Sequence, residues 1–229
     1  MKSLNKNILA LAAAAAVSGQ VAAYEAGDWV VRAGYADVEP QESSTALKLD
    51  GTKLGGTSVG VDGAAALGIT ASYMLTSHIG VELLAATPFS HEIYTKGLGG
   101  LGLGLHDVRL GTTKHLPPTV SVQYYFLDST SNLQPYAGVG INYTTFFNES
   151  VSSEAKNELG AKNMSLDDSY GFAGELGLDY RLDDHWLVNA AVWYIQIETD
   201  ASVETALGKV KSTVTLDPWV YMLSVGYKF

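Results

Sequence analysis

The sequence contains no cysteine, few charged residues and no long apolar run beyond its first segment. Without cysteine the chain has no disulfide bond and no thiol chemistry. Charged residues make up 17% of the 229 residues, whereas average soluble domains have about 25%. After residue 23, no apolar stretch reaches the roughly 20 residues that a membrane-spanning helix needs. The composition therefore argues against a disulfide-rich secreted domain, an ordinary soluble protein and a helical membrane protein.

Positive charge is also sparse, with 14 Lys and Arg against 24 Asp and Glu and a formal net charge of −10. No segment gathers lysine and arginine into a basic patch, so nucleic acid is not a predicted partner. Gly100, Gly102 and Gly104 form a GxGxG pattern. It does not sit between a strand and a helix, and therefore predicts no nucleotide loop and no bound cofactor.

The sequence also lacks a recognisable catalytic or metal-binding pattern. His78, His91, His106, His115 and His185 are scattered without ligand spacing, which predicts solvated histidines in loops and turns and no metal site. No serine has a plausible partner pair of His and Asp. A barrel-embedded lipase or protease, the rival class, would need a nucleophile and a base on one rim. We therefore predict no catalytic residue and no enzyme activity.

The first residues resemble a secretory leader. Lys2 and Lys6 precede an apolar run at Ile8–Val17, and small residues occupy positions 21–23. This order predicts a cleaved signal peptide at residues 1–23. A membrane anchor is the alternative, but the apolar run is too short to span a bilayer.

What the sequence does have is period-2 alternation, in which large apolar residues alternate with glycine, small or polar residues. This pattern predicts strands with two different faces, each strand about ten residues long. It recurs eight times, at Trp29–Ala36, Leu67–Leu75, Ile79–Ala86, Val120–Phe126, Ala137–Thr144, Tyr170–Arg181, Trp186–Ile195 and Trp219–Phe229.

The connections alternate between short and long. Short links fall at 76–78, 128–134 and 182–185, and long polar, glycine-rich links fall near 37–65, 89–117, 147–168 and 198–212. The predicted fold is all-β: an eight-stranded antiparallel transmembrane β-barrel of the bacterial outer membrane. Residues 24–229 form this barrel, with four long extracellular loops. The sequence leaves open whether those loops are ordered, especially at 95–113.

The two faces of the strands identify which side meets lipid. An eight-stranded barrel has too little interior room for Trp, Tyr and Phe in such numbers, so the apolar face is predicted to point outward, and outer-membrane lipids are predicted partners. A soluble lipocalin-like barrel would need the opposite sidedness. Aromatics near the short turns are Trp29, Phe126, Tyr180, Trp186, Tyr227 and Phe229, and those near the long connections are Tyr35, Tyr143, Tyr170, Tyr194 and Trp219. They predict two interfacial girdles.

The last strand runs to the final residue, and a membrane barrel explains why. An unpaired backbone edge is prohibitively costly in lipid, so the last strand is predicted to pair with the first. Phe229 then belongs to a girdle. A terminal aromatic after alternating apolar residues also resembles the signal by which bacterial outer-membrane barrels are recognised, which implies the barrel assembly machinery as a partner.

The inward faces change character with depth. Near the short turns the inward residues carry mixed charges, which predicts a salt-bridged polar plug made of Arg32, Glu82, Gln123, Glu175, Asp179, Arg181 and Lys228. Further up they are apolar, and the predicted channel lining is Leu84, Ala86, Ala173, Ala191, Trp193, Ile195, Val220 and Met222. A porin lumen is polar throughout. The apolar lumen therefore favours small hydrophobic solutes, unless these side chains only fill a narrow barrel.

A polar floor below an apolar lumen raises the question of where a hydrophobic solute would leave. Pro88 lies at the upper end of the third predicted strand, where a missing N–H removes a ladder hydrogen bond and allows a lateral opening. Pro117, Pro118 and Pro218 lie at similar heights. The alternative is that these prolines only end strands. Nothing in the sequence binds nucleotide or couples to a gradient, so transport is predicted to be passive.

Five segments closely resemble the outer membrane protein W family, which includes alkane-uptake proteins: HIGVELLAATPFSH (78–91), HLPPTVSVQYYF (115–126), PYAGVGINYTTFF (135–147), DHWLVNAAVWY (184–194) and LDPWVYMLSVGYKF (216–229). The resemblance implies a narrow apolar channel for small hydrophobic molecules and supports a lateral opening. Leu84 and Trp193 match lumen positions of the family. The segment 95–113 departs from the shorter loop of the family. The alternative function is a structural or receptor barrel whose loops dock phage, bacteriocin or host surfaces.

Overall fold

The structure, a computed structural model, describes residues 24–128 and 130–229, so the predicted signal peptide at 1–23 lies outside it. In this part of the chain neither helix is long and apolar enough to cross a membrane. The strands are β1 Trp29–Glu39, β2 Ser43–Ser44, β3 Lys48–Leu49, β4 Thr52–Lys53, β5 Ser58–Val61, β6 Ala64–Met74, β7 Ile79–Ala86, β8 Phe89–Lys96, β9 Arg109–Leu116, β10 Thr119–Tyr125, β11 Leu133–Val151, β12 Lys162–Leu166, β13 Ser169–Arg181, β14 Trp186–Ile195, β15 Glu198–Thr205, β16 Gly208–Thr215 and β17 Trp219–Lys228. A short 3₁₀ helix spans Leu98–Leu101, and helix α1 spans Ser153–Leu159.

Eight strands close into an antiparallel barrel. Their order is β10, β7, β6, β1, β17, β14, β13 and β11, and β11 pairs with β10 to complete the ring. Each predicted alternating segment corresponds to one of these strands. The predicted eight-stranded barrel is therefore confirmed.

The seam of the barrel joins the first strand to the last. The β1–β17 pairing runs from Val30 opposite Lys228 to Glu39 opposite Trp219. Beyond this ladder, the Phe229 N–H donates to the Trp29 carbonyl at 2.9 Å. The terminal strand leaves no open edge at the seam because it pairs with β1 on one side and with β14 on the other.

The sidedness of the strands also follows the prediction. Large apolar residues cover the outer surface, and among them Val139 is 73% exposed and Phe172 is 72% exposed. Inside, glycine makes room for larger side chains from neighbouring strands. A Cβ on Gly138 would lie 2.8 Å from Glu175 Cγ, and a Cβ on Gly177 would lie 2.1 Å from Tyr136 Cζ. The wide apolar face meets lipid because the interior has no room for it.

The four long connections form further strands that extend beyond the barrel. On one side, β5 pairs with β8, β8 pairs with β9, and β9 pairs with the outer end of β11. On the other side, β12, β15, β16, β3 and β4 form a second sheet, with β2 paired to β16. We call these paired strands the outer extension. Their buried apolar residues join the upper lumen in one hydrophobic cluster, so the interior continues past the membrane-spanning strands.

Candidate functional site

Arg32 is the centre of a charged network near the short-turn end of the barrel. Its guanidinium donates from Nε and Nη2 to the two carboxylate oxygens of Asp179, at 3.0 and 2.5 Å. Nη1 donates to Glu82 Oε2 at 3.2 Å and to Ser72 Oγ at 2.8 Å. Arg32 is 1% exposed and both carboxylates are fully buried. The bidentate geometry and the additional donors compensate for taking three charges out of water.

Asp179 accepts further hydrogen bonds from two residues outside the predicted set. Tyr24 donates its hydroxyl to Asp179 Oδ2 at 2.5 Å, and Asn189 donates from Nδ2 to Oδ1 at 2.8 Å. Tyr24 precedes β1 and is completely buried, so a residue outside the barrel strands helps to fill the lumen. The polar plug thus takes in more side chains than the charged residues that the sequence indicated.

A second group connects the network to the apolar lumen. Glu175 accepts from Gln123 Nε2 at 2.5 Å, from Ser121 Oγ at 2.8 Å and from Trp193 Nε1 at 2.8 Å. Tyr125 bridges the two groups, because it accepts from Arg32 Nη2 and donates to Gln123 Oε1, both at 3.0 Å. Trp193 therefore lies at the boundary, with its N–H toward the polar plug and its ring in the apolar cluster.

The remaining two members of the predicted polar plug differ in position. Arg181 is buried at the short-turn end of β13, two residues after Asp179. Lys228 is only partly buried, and its ammonium group lies 3.4 Å from the Asp28 carboxylate. Lys228 thus belongs to the rim of the barrel and not to the buried network around Arg32.

All eight predicted lining residues lie in one apolar cluster. Seven are buried and Ala86 is partly buried against them. Their pairing sets them at neighbouring heights: Trp193 lies opposite Val220, Ala191 opposite Met222, and Ala173 opposite Ile195. The seven are Leu84, Ala173, Ala191, Trp193, Ile195, Val220 and Met222.

In the described part of the chain, three small cavities with largely apolar walls lie in the outer extension, and none of the eight lining residues contributes to their walls. The outermost has a volume of about 70 Å³, and Leu98 and Leu101 of the segment 95–113 help to line it. A middle cavity of about 30 Å³ shares Leu47, Leu110 and Val203 with it. An inner cavity of about 20 Å³ shares lining residues with the middle one, namely Val59, Ile93 and Ala201. The sequence analysis did not identify this part of the path.

The barrel wall is interrupted next to Pro88. Strands β7 and β10 pair up to Leu84 opposite Thr119, and β8 and β9 pair from Phe89 opposite His115 onward. Among the described residues, no ladder pair joins 85–88 to 116–118 across this boundary. A backbone group beside the gap forms its hydrogen bond with β6 and not across the gap: the Thr87 N–H donates to the Leu67 carbonyl at 2.9 Å.

His91 and His115 do not fit the prediction of solvated loop histidines, which is wrong for these two. They are 3% and 2% exposed, and their rings stack with centroids 4.7 Å apart. Both line the inner cavity, and His115 also packs against Phe89 and Phe146. The alternation of Phe89, His91 and Ile93 on one face of β8 was the signal that could have revealed them.

Burial sets the charge state of this histidine pair, which lies in the outer extension beyond the girdle residues Tyr143 and Tyr170. Desolvation lowers the pKa of His91, although the Asp62 carbonyl and charge act in the opposite direction. Desolvation, with a smaller contribution from His91, lowers the pKa of His115 to about 3. Both rings are therefore neutral at pH 7.

The closed ring of eight strands, the lipid-facing apolar surface and the hydrogen-bonded polar network inside define an outer-membrane β-barrel of a Gram-negative bacterium. The OmpW family model matches residues 25–229. Outer membrane protein W of Vibrio cholerae is 45% identical over 229 residues, covering 99% of this chain and 100% of the relative. The chain belongs to the OmpW family.

Two further comparisons agree with this assignment. The crystal structure of OprG from Pseudomonas aeruginosa superimposes with a TM-score of 0.85 and 46% sequence identity, covering 91% of this chain and 99% of that one. Outer membrane protein AlkL of Ectopseudomonas oleovorans is 27% identical over 209 residues, covering 91% of this chain and 85% of the relative. The family resemblance noted in the five sequence segments is thus confirmed.

Proposed function

We propose that this protein is a passive channel that takes up small hydrophobic molecules through the outer extension and the upper lumen. The observation that carries the proposal is the succession of small apolar cavities through the outer extension, whose buried apolar walls belong to the same hydrophobic cluster as the upper lumen. Each methylene group taken from water into such a path gains about 0.8 kcal/mol. A medium-length alkyl chain therefore enters favourably, whereas an ion or a sugar would lose its hydration. The resemblance to a family that includes alkane-uptake proteins supports the same solute class.

The polar plug makes the lower half unsuitable for such a solute. Arg32 is paired with both Glu82 and Asp179, and an alkyl chain that separated them would leave buried charges without partners. The solute therefore needs an exit above the plug. We propose that it leaves sideways into the bilayer through the interrupted wall at 85–88 and 116–118.

The orientation follows from this route. We propose that the outer extension faces the outside of the cell, that residues 1–23 are cleaved as a signal peptide, and that Phe229 is the residue recognised during assembly. Phe229 is 70% exposed and its ring contacts that of Tyr227, so it is accessible at the seam without supporting the lumen.

Replacing Pro88 by valine should lower hydrophobic uptake about threefold or more without changing charge. Valine restores a backbone N–H and a β-branched side chain, which favours continuation of the β7 ladder across the gap. The measurement is uptake of radiolabelled n-octane by cells that express the variant, compared with the parent protein and with cells that lack the barrel. Pro135→Val is the matched control, because Pro135 lies near a short turn at the opposite end of the barrel. Equal loss in both variants would contradict a role for this particular gap.

Deleting Phe229 should strongly reduce the amount of folded barrel in the outer membrane, while the upper lumen stays chemically unchanged. The test compares the folded fraction from the faster migration of unheated protein in SDS gels. Phe229→Trp keeps a terminal aromatic and should restore assembly, whereas Phe229→Ser should not. Normal folded levels of the deletion variant would refute the proposed assembly signal.

A further inference from the structure

We propose that an open cleft on the outward face of the second sheet of the outer extension binds the phosphorylated sugars of a glycolipid in the surrounding outer leaflet. This face lies on the opposite side of the sheet from the apolar cavities. Val210 and Val214 of β16 pack into the hydrophobic cluster, whereas Lys209 and Lys211 alternate with them and are exposed. The site is therefore separate from the proposed channel and does not depend on it.

Three lysines form a row across neighbouring strands on this face. Lys48 of β3 lies opposite Lys53 of β4 on one side and opposite Lys211 of β16 on the other. Side chains at such positions lie about 5 Å apart, and like charges there are destabilising. All three lysines are exposed, and the described part of the chain holds no ion pair for any of them. Lys209 lies on the same face but opposite Glu204, so the row itself is the unpaired positive charge.

The lysine row borders a cleft of about 390 Å³ with charged and polar walls. This volume falls in the range of about 300–1,000 Å³ that small-molecule sites commonly have. Lys48 and Lys211 reach it from β3 and β16, whereas Ser165, Asp167 and Asp200 reach it from β12, the residue after β12 and β15. The order of strands in the sheet is β12, β15, β16, β3. The cleft therefore has a cationic half and a half that is rich in hydrogen-bond acceptors.

This division of the cleft fits a sugar that carries a phosphate group. A lysine ammonium group only donates and binds phosphate as a point charge, whereas a carboxylate only accepts and pairs with sugar hydroxyl groups. Asp200 Oδ1 accepts from Thr213 Oγ1 at 2.7 Å, and within the described residues Oδ2 has no hydrogen bond. A bare polyanion would be repelled by Asp167 and Asp200, and an uncharged sugar would leave the lysine row without a counter-ion.

The height of the cleft above the membrane indicates the source of this ligand. Strand β15 begins at Glu198, just beyond the girdle residue Tyr194 near the end of β14. The outward face of the outer extension therefore stands among the headgroups of the surrounding outer leaflet. Lipopolysaccharide carries phosphate groups on its headgroup sugars, so it supplies both halves of the required chemistry next to the cleft.

Binding of deacylated lipopolysaccharide, a soluble glycan that keeps its sugar phosphates, tests the site by calorimetry on the full-length barrel in nanodiscs of neutral lipid. Replacing Lys48 and Lys211 together by glutamine should weaken binding at least about tenfold, because two charge-assisted contacts are lost. Replacing both by arginine should retain binding. The matched control is Lys114→Gln with Lys156→Gln, which removes the same charge from exposed lysines of β9 and α1. It should change the affinity by less than about twofold.

Asp200→Asn separates recognition of the sugar from attraction of the phosphate. Asparagine keeps an acceptor for Thr213 but replaces the second carboxylate oxygen by a donor. Loss of this acceptor should weaken binding of the deacylated lipopolysaccharide about threefold or more. If the lysines only attracted an anion, removal of a neighbouring negative charge would strengthen binding instead, and that result would overturn the role of the sugar.

Other results would overturn the site or its source. Equal loss in the two lysine pairs would show attraction by net charge alone. Equal affinity for glycan treated with phosphatase would show that the phosphate groups are not recognised. Glucose 6-phosphate bound as tightly as the deacylated lipopolysaccharide would exclude the glycolipid headgroup as the specific ligand, and tighter binding of heparin would assign the cleft to sulfated glycans instead.

Discussion

Leu84→Lys and Trp193→Glu should each lower uptake of n-octane at least about tenfold in cells that carry the folded barrel. Both side chains are buried in the apolar lumen cluster, at 5% and 1% exposure. A charge there retains water, and a hydrocarbon cannot replace that hydration. The loss of favourable transfer energy amounts to several methylene groups at about 0.8 kcal/mol each. The measurement is the initial rate of radiolabelled n-octane uptake.

The controls separate transport from folding. Both variants should still migrate faster in SDS gels before heating than after, as a folded barrel does. Trp193→Phe keeps an apolar ring but loses the hydrogen bond to Glu175, so it should retain most of the uptake. Leu110→Lys adds a charge in the outer extension, away from the membrane-spanning strands, and should also reduce uptake. Parental uptake in folded Leu84→Lys and Trp193→Glu would favour the structural or receptor barrel instead.

Arg32→Met should destabilise the barrel by about 3–5 kcal/mol, the usual cost of removing one partner from a buried ion pair. The substitution keeps a long side chain in the lumen but leaves Asp179 and Glu82 without their shared cation. The free energy of unfolding in urea, measured on protein inserted in lipid vesicles, gives the difference directly.

Neutralising the network provides the matched test of this cause. The triple variant Arg32→Met, Glu82→Gln and Asp179→Asn removes the unpaired charges and should regain a large part of the lost stability. Lys228→Ala, which removes the partly exposed pair with Asp28, should change stability by less than about 1 kcal/mol. If the triple variant is as unstable as Arg32→Met, the loss arises from packing and not from charge.

The alternation of large apolar residues with small or polar ones was sufficient to predict the barrel. It also predicted an interior that is charged near the short turns and apolar above them. In β14, large outward residues alternate with Asn189, Ala191 and Trp193, and the structure buries all three. An eight-stranded ring has so little internal volume that the small and polar face can only point inward. The positions of Arg32, Glu82 and Asp179 relative to Leu84 followed from the same counting along the strands.

The outer extension could not be predicted in the same way, because its interior mixes polar and apolar residues. In β9 the buried positions include Leu110, Thr113 and His115, which gives little contrast in hydrophobicity along the strand. The β8–β9 pairing also contains a register shift after Ile93, so its partners do not follow from uninterrupted counting. The contact between His91 and His115 depends on that pairing. The contribution of Tyr24 was missed because it lies outside any alternating segment.

The pairing of β1 with β17 limits the order in which the strands of the barrel can assemble. Hairpins such as β13–β14 join strands that are adjacent in the sequence, whereas the seam joins Val30 to Lys228, almost the whole described chain apart. Contacts between such distant residues pay a large loop-closure entropy and slow the folding reaction. Until β17 arrives, β1 presents an open edge that other chains can join. A nascent copy of this protein is therefore exposed to aggregation until β17 has been synthesised and can pair with β1.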